Sequence, residues 1–242
     1  MSARRCQKKF QVVQSVISIS PLLLRHFPQA NTPCAGTRSR GAIVAPETTT
    51  DMKIVLASTS RYRRELLNRL QIRFSAVNPG VEETALAGEA PEAMATRLAT
   101  AKALAVASNH PDAIIIGCDQ VAVSGGKILG KPGNHANAVR QLRKLSGHDV
   151  FFYTALCVHD ARSGRTATRV VPCRVKFRVL DAAAVRRYLE REQPYDCAGS
   201  AKSEGLGIAL IERIEGEDPN ALVGLPLIAL VDLLGEHGVQ IP

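Results

Sequence analysis

Tryptophan is absent from this 242-residue chain, and all aromatic residues together make up only 4% of it. With so few stacking side chains, and no helix-turn-helix, zinc-finger or RNA-binding signature, a nucleic-acid-binding module is disfavoured. Steep salt dependence of binding to duplex DNA would revive that reading. No apolar run approaches the roughly 18–20 residues of a membrane-spanning helix, so none is expected. The six cysteines are scattered; none forms a C-x-x-C pair, and none has zinc spacing with histidine. Free thiols in a reducing, cytoplasmic compartment follow from that scatter. No internal repeat is visible, and none of the six histidines stands in a convincing catalytic constellation.

What is present is ordinary globular material: 45% hydrophobic and 22% charged residues, enough for one large domain or two small ones. The net charge of +9 is unevenly spread. Residues 1–51 carry seven Lys/Arg against Glu47 and Asp51, a balance of +5; the rest carries 24 against 20, or +4. A mildly basic body suits an anionic ligand, small or polymeric. The first 51 residues are Arg-rich at the start, like a transit peptide, but Gln11, Gln14 and Pro21 interrupt their apolar stretch and no A-x-A cleavage site follows. They read as a basic, disordered extension or as the product of a start codon placed too early, because Met52 directly precedes the first strand-like run. The domain is therefore expected over 52–242.

From Met52 the chain alternates. "KIVLA" predicts a strand, and 61–70 a helix with Leu66, Leu67 and Leu70 on one face. "RFSAV" predicts a second strand, and "PEAMATRLATAKALAVAS" a helix opened by Pro91. "AIIIGCD" reads as a buried strand ending at Asp119, and "VAVSGGKIL" as a hairpin through Gly125-Gly126. A helix over 134–145, two long strands over 149–159 and 166–179, and a helix N-capped by Asp181 come next. The strand "GIALIERI" and a helix in "PLIALVDLLGEHG" close the chain. Strands separated by helices, with hairpins between others, predict an α/β fold with a mixed sheet.

The stretch "LASTSRYRREL" ends a buried strand in hydroxyls and opens a helix in arginines. Free backbone N–H groups at a helix N-terminus favour an anion. Ser58 and Ser60 add hydroxyls, and Arg63 and Arg64 add guanidinium forks that fit phosphate. Asp119, expected at the carboxyl end of its strand, faces a ligand crevice there and can hold Mg²⁺ or accept a proton from water. A plain turn aspartate is the alternative. Lys131, in the Gly/Pro-bounded turn "LGKPG", is a compact charge suited to a phosphate. Glu82 and Glu83 follow the second strand. "CAGSAKSEGLG" carries Lys202 and Glu204 where nothing structural demands both charges.

Taken in order, "LASTSRYRREL", "PGVEE", "GCDQV", "GKP", "CAGSAKSEGLG" and "LVGLPLIAL" resemble the motifs of the Maf family of nucleoside triphosphate pyrophosphatases. The resemblance runs from Met52 to about Gly238 and is strongest to the branch that hydrolyses 7-methyl-GTP. It implies a two-lobed fold similar to inosine triphosphate pyrophosphatases, with a central cleft, divalent-metal-dependent cleavage to the monophosphate and pyrophosphate, and a homodimer. It assigns catalysis to Asp119, Glu83 and Lys131, with Asp119 as proton acceptor and Asp119 and Glu83 as ligands of Mg²⁺ or Mn²⁺. Ser58, Ser60, Arg63, Arg64, Lys102 and Lys202 form the substrate-binding set; Tyr62, Gln120 and Glu204 set base specificity. Glu82 stands where the family more often has Asp, and it receives no role. A dTTP/UTP or other non-standard nucleotide pyrophosphatase is the alternative.

Overall fold

The computed structural model describes residues 52–242. The expectation for residues 1–51 lies outside them. The described residues form a seven-stranded mixed sheet flanked by five α-helices: β1 (Lys53–Ala57), α1 (Arg61–Asn68), β2 (Ser75–Ala76), α2 (Pro91–Ala107), β3 (Ala113–Ser124), β4 (Lys127–Leu129), α3 (His135–Leu145), β5 (Asp149–Asp160), β6 (Thr166–Phe177), α4 (Ala182–Glu192), β7 (Ile211–Gly216) and α5 (Leu227–Glu236). Along the sheet the order is β2-β1-β3-β5-β6-β7, with β4 paired to β3. The pairs β2–β1 and β1–β3 are parallel, and the rest are antiparallel.

The two lobes arise from unequal strand lengths. β1 stops at Ala57, opposite Gly117, while β3, β5 and β6 run on. Along β1 and its β3 partners, α1, α2 and α5 cover the strands: Leu66, Leu67, Leu230 and Leu234 pack on one face, and Ala95, Leu98, Ala99 and Val106 of α2 on the other. Beyond the end of β1, α3 and α4 pack Leu142, Leu145, Val185 and Leu189 against Phe152, Val175 and Phe177. The cleft opens between these cores.

Three sequence expectations are corrected. Asp119 does not end its strand: β3 continues to Ser124 and turns into β4 through Gly125 and Gly126, both at positive φ as a tight hairpin turn requires. The carboxyl end that Asp119 sits beside is that of β1. "RFSAV" keeps only Ser75–Ala76 as strand, because it lies at the sheet edge and pairs with Val55 and Leu56 alone. The apolar half of "GIALIERI" belongs to a 3₁₀ turn, Leu206–Leu210, and the strand starts only at Ile211. An apolar run without alternation does not distinguish these outcomes.

Because this body closes its own cores, a chain starting at Met52 is expected to fold and to keep its activity. A stability loss above about 2 kcal/mol on urea unfolding would place the preceding residues inside the domain.

Candidate active site

The turn between β1 and α1 is built by its serines. Ser58 Oγ accepts from Ser60 N–H at 3.2 Å, and Ser60, the N-cap of α1, accepts from Arg63 N–H at 3.4 Å. A cavity of about 560 Å³ opens at this turn and the start of α1, lined there by Ser58, Thr59, Ser60, Arg61 and Tyr62. That volume is within the roughly 300–1,000 Å³ typical of small-molecule sites. Arg63 forms part of its floor: Nε donates to Gly224 O at 2.9 Å and Nη1 to Cys118 O at 2.8 Å. It ties α1, β3 and the loop before α5 together. Arg64 is exposed and does not line the cavity, because successive helix residues point about 100° apart.

Across the floor lies a charged cluster. Lys102 is 5% exposed and Asp119 6%. Lys102 Nζ donates to Asp119 Oδ1 at 2.6 Å and to the Glu83 carboxylate. Burial pushes the Asp119 carboxyl above its ordinary value, although Lys102 and Arg63 pull the other way. Glu83, on the cleft loop, is half exposed; burial raises it, but Lys102, then Lys131 and Arg63, hold it below its ordinary value. Lys131 is exposed and lines the same cavity.

Lys102, which enters on the resemblance alone, also carries a signal in the helix pattern. In α2, Ala95, Leu98, Ala99, Lys102, Ala103 and Val106 form one buried stripe at helical spacing. A lysine in such a stripe needs acidic partners, and both are here. Its approach depends on Gly117, where an added Cβ would stand 2.1 Å from Ala99 O.

The far end of the cavity holds Tyr62, Gln120 and Glu204. Gln120 Nε2 donates to Thr154 Oγ1 and Ala221 O, both at 2.9 Å, and to Leu222 O at 3.2 Å. These bonds fix the amide and leave its oxygen to accept from a ligand. Glu204 is exposed at the mouth, its carboxyl raised by partial desolvation. Tyr62 already carries cations: Arg61 Nη2 donates to its hydroxyl at 2.8 Å and the guanidinium lies 4.7 Å from the ring centroid. Lys202 Nζ lies 5.7 Å from the same centroid but does not line the cavity; it pairs with Glu192 at 2.7 Å.

Sequence reasoning missed Asp218. It is 4% exposed, and its carboxylate accepts from Asn220 N–H at 2.8 Å and Ile228 N–H at 2.7 Å. It thereby fixes the start of α5 and the loop whose Leu222, Val223 and Gly224 line the cavity. An Asp-Pro-Asn turn ahead of a helix was the available signal.

Among the described residues no group of three or more His, Cys, Asp or Glu gathers as a metal site. Asp119 and Glu83 nonetheless fit a hard divalent cation that takes its other ligands from phosphate oxygens and water. Each carboxylate keeps one oxygen not engaged by Lys102.

An anion cradle facing a Lys–Asp–Glu cluster, of which Lys102 and Asp119 are buried, gives a mixed α/β fold a site suited to a phosphorylated substrate. The chain belongs to the Maf family: the family model described as "Maf-like protein" matches residues 53–237. It is 58% identical over 189 residues to the 7-methyl-GTP pyrophosphatase of Nitrosospira multiformis, covering 78% of this chain and 96% of that protein. The 7-methyl-GTP pyrophosphatase of Methylobacillus flagellatus is 56% identical over 188 residues, covering 78% and 98%. Among solved structures, the Staphylococcus aureus Ham1 protein superposes with a TM-score of 0.38 at 15% identity, covering 52% of this chain and 71% of that one.

Proposed function

We propose that this protein is a nucleoside triphosphate pyrophosphatase that hydrolyses 7-methyl-GTP to the monophosphate and pyrophosphate, removing a modified guanine nucleotide. The carrying observation is that phosphate cradle, carboxylate–lysine cluster and base-reading side chains line a single cavity.

In this reading the triphosphate lies along the Ser58–Arg63 turn, with Lys131 opposite. Ser60 holds the turn, and its N–H donors, Arg63 and Lys131 stabilise the charge that moves onto the departing pyrophosphate. Asp119 accepts the proton of the attacking water, a task its raised pKa suits. Lys102 holds Asp119 and Glu83 in register. Mg²⁺ or Mn²⁺ held by Asp119 and Glu83 would supply charge neutralisation and a more acidic bound water. The N1–H and exocyclic amine of guanine meet acceptors at Gln120 Oε1 and Glu204; thymine and uracil present a different edge. The methylated base is cationic and takes the Tyr62 face. Four free cysteines among the described residues support a reducing, cytoplasmic location. No helix of the described residues is long and apolar enough to cross a membrane.

The test is a panel of nucleoside triphosphates with Mg²⁺, pyrophosphate and orthophosphate being detected separately. Pyrophosphate released from 7-methyl-GTP ahead of GTP, dTTP and UTP is expected; a preference for dTTP or UTP would overturn the base assignment.

Specificity gives a sharper expectation. Tyr62→Leu removes similar stacking area for GTP and 7-methyl-GTP, so only the cation–π difference survives the comparison. kcat/KM should fall several-fold more for 7-methyl-GTP, about 1 kcal/mol. Glu204→Gln, which leaves one acceptor atom and adds donors, should reduce discrimination for guanine. Equal losses on both nucleotides after Tyr62→Leu would remove the cation–π assignment.

A further inference from the structure

We propose that Glu192, at the end of α4 and outside the cavity, is a positioning residue for recognition of a cationic base: it holds the Glu204 loop and neutralises Lys202 behind Tyr62.

The geometry is specific. One carboxylate oxygen of Glu192 accepts from Lys202 Nζ, and the other from Leu206 N–H, both at 2.7 Å. Between those two partners the chain passes so closely that a Cβ on Gly205 would stand 2.8 Å from the carboxylate. One turn earlier in α4, the buried Tyr188 hydroxyl accepts from Lys202 N–H at 3.1 Å. α4 therefore grips the loop on both sides of Glu204, whose carboxylate is left at the cavity mouth. Glu192 itself does not line the cavity.

Charge gives Glu192 its second task. Arg61 and Lys202 lie 4.7 and 5.7 Å from the Tyr62 ring centroid. A cationic base brought against that ring is repelled by any unneutralised positive charge at this range, whereas a neutral guanine is not. Arg61 is exposed and water-screened. Lys202 is only 21% exposed along its side chain, so its field reaches the ring unless a counter-charge cancels it; Glu192, 14% exposed, supplies that charge. Glu192 is held ionised first by Lys202 and then by the Leu206 N–H. Discrimination between methylated and unmethylated guanine thus depends on a carboxylate that never meets the nucleotide.

The inference rests on 7-methyl-GTP being the substrate. Its test is kcat/KM for 7-methyl-GTP and GTP in Glu192→Gln, Lys202→Met and the double variant. Glu192→Gln keeps an acceptor for Leu206 N–H and removes the charge. The ratio of 7-methyl-GTP to GTP should fall about fivefold or more. Lys202→Met added to it should restore the ratio, and Lys202→Met alone should keep or raise it, which decides the matter even if Glu192→Gln folds poorly. A general loss of loop order would lower both nucleotides together and would not be rescued at Lys202. An unchanged ratio in Glu192→Gln, a ratio that Lys202→Met fails to restore, or a ratio that Lys202→Met alone lowers would overturn the proposal. Wild-type protein without 7-methyl-GTP hydrolysis would overturn the substrate reading as well, an outcome seen before any variant is made.

Discussion

Asp119→Asn is expected to lower kcat on 7-methyl-GTP by roughly 10²–10⁴-fold, the usual contribution of a positioned general base. The amide keeps the shape of the side chain and its place on β3, so nucleotide binding should survive better than turnover. Stability provides the control. Because burial raises the folded-state pKa of Asp119 above its unfolded value, its contribution to stability is fully present below the unfolded pKa and is lost as pH rises through the folded pKa. At neutral pH the ionised form therefore costs stability, a usual feature of a functional group. Asn keeps an acceptor oxygen for Lys102 but leaves Glu83 as its remaining carboxylate partner, so Tm should fall modestly at most. The same shift sets the acid limb of kcat/KM: activity should fall with pH at a value above the ordinary aspartate range, and Lys102→Met should move that limb higher still by removing the opposing cation. Near wild-type turnover in Asp119→Asn would reduce Asp119 to a structural strand residue. A large fall in Tm would mean that the loss of activity reports lost structure.

Much of this site was readable before any coordinates. The Ser58–Arg63 turn follows from a β-branched strand that stops at hydroxyls, and Asp119 from an acid set into an apolar run. The motif resemblance added Lys102 and the base-reading trio. What could not be read were contacts across long separations. Arg63 and Arg64 are equivalent in sequence, yet only Arg63 meets Gly224 and Cys118, because helix geometry separates neighbours around the axis. Lys202 is placed in the substrate-binding set on sequence, yet it pairs with Glu192, ten residues earlier and on another element. The end of "AIIIGCD" was misplaced because the deciding neighbour, β1, ends there while β3 does not. A carboxyl-end argument made on one strand was satisfied by the strand beside it. Asp218 escaped because a capping aspartate in a Pro/Asn turn is so common that its role in shaping a cavity wall emerges only from its buried partners.

Gly117→Ala is expected to be the most damaging single methyl in the cleft. Its Cβ would come within 2.1 Å of Ala99 O and 3.0 Å of Ala103 N and Cβ. The first two obstacles are α2 backbone and cannot rotate away, so the helix must lift from the sheet. Overpacking of this kind costs typically 1–3 kcal/mol and occasionally more, equivalent to a Tm lower by about 2–12 °C at this chain length. The functional loss should exceed the loss of stability. Lys102 precedes Ala103 on the lifted helix, and Asp119 lies two residues beyond Gly117 on the same face of β3. A displacement near 1 Å therefore falls directly on the Lys102–Asp119 contact of 2.6 Å, and a misplacement of that size costs on the order of 10²-fold in rate. Gly235→Ala is the matched control: it adds the same methyl within α5, where nothing lies within 4 Å, and should stabilise by up to about 1 kcal/mol with activity unchanged. Thermal melts and kcat at one temperature well below both transitions separate the two effects. If Gly117→Ala kept wild-type turnover while folded, the seating of α2 on β3 would not be what holds Lys102 against Asp119.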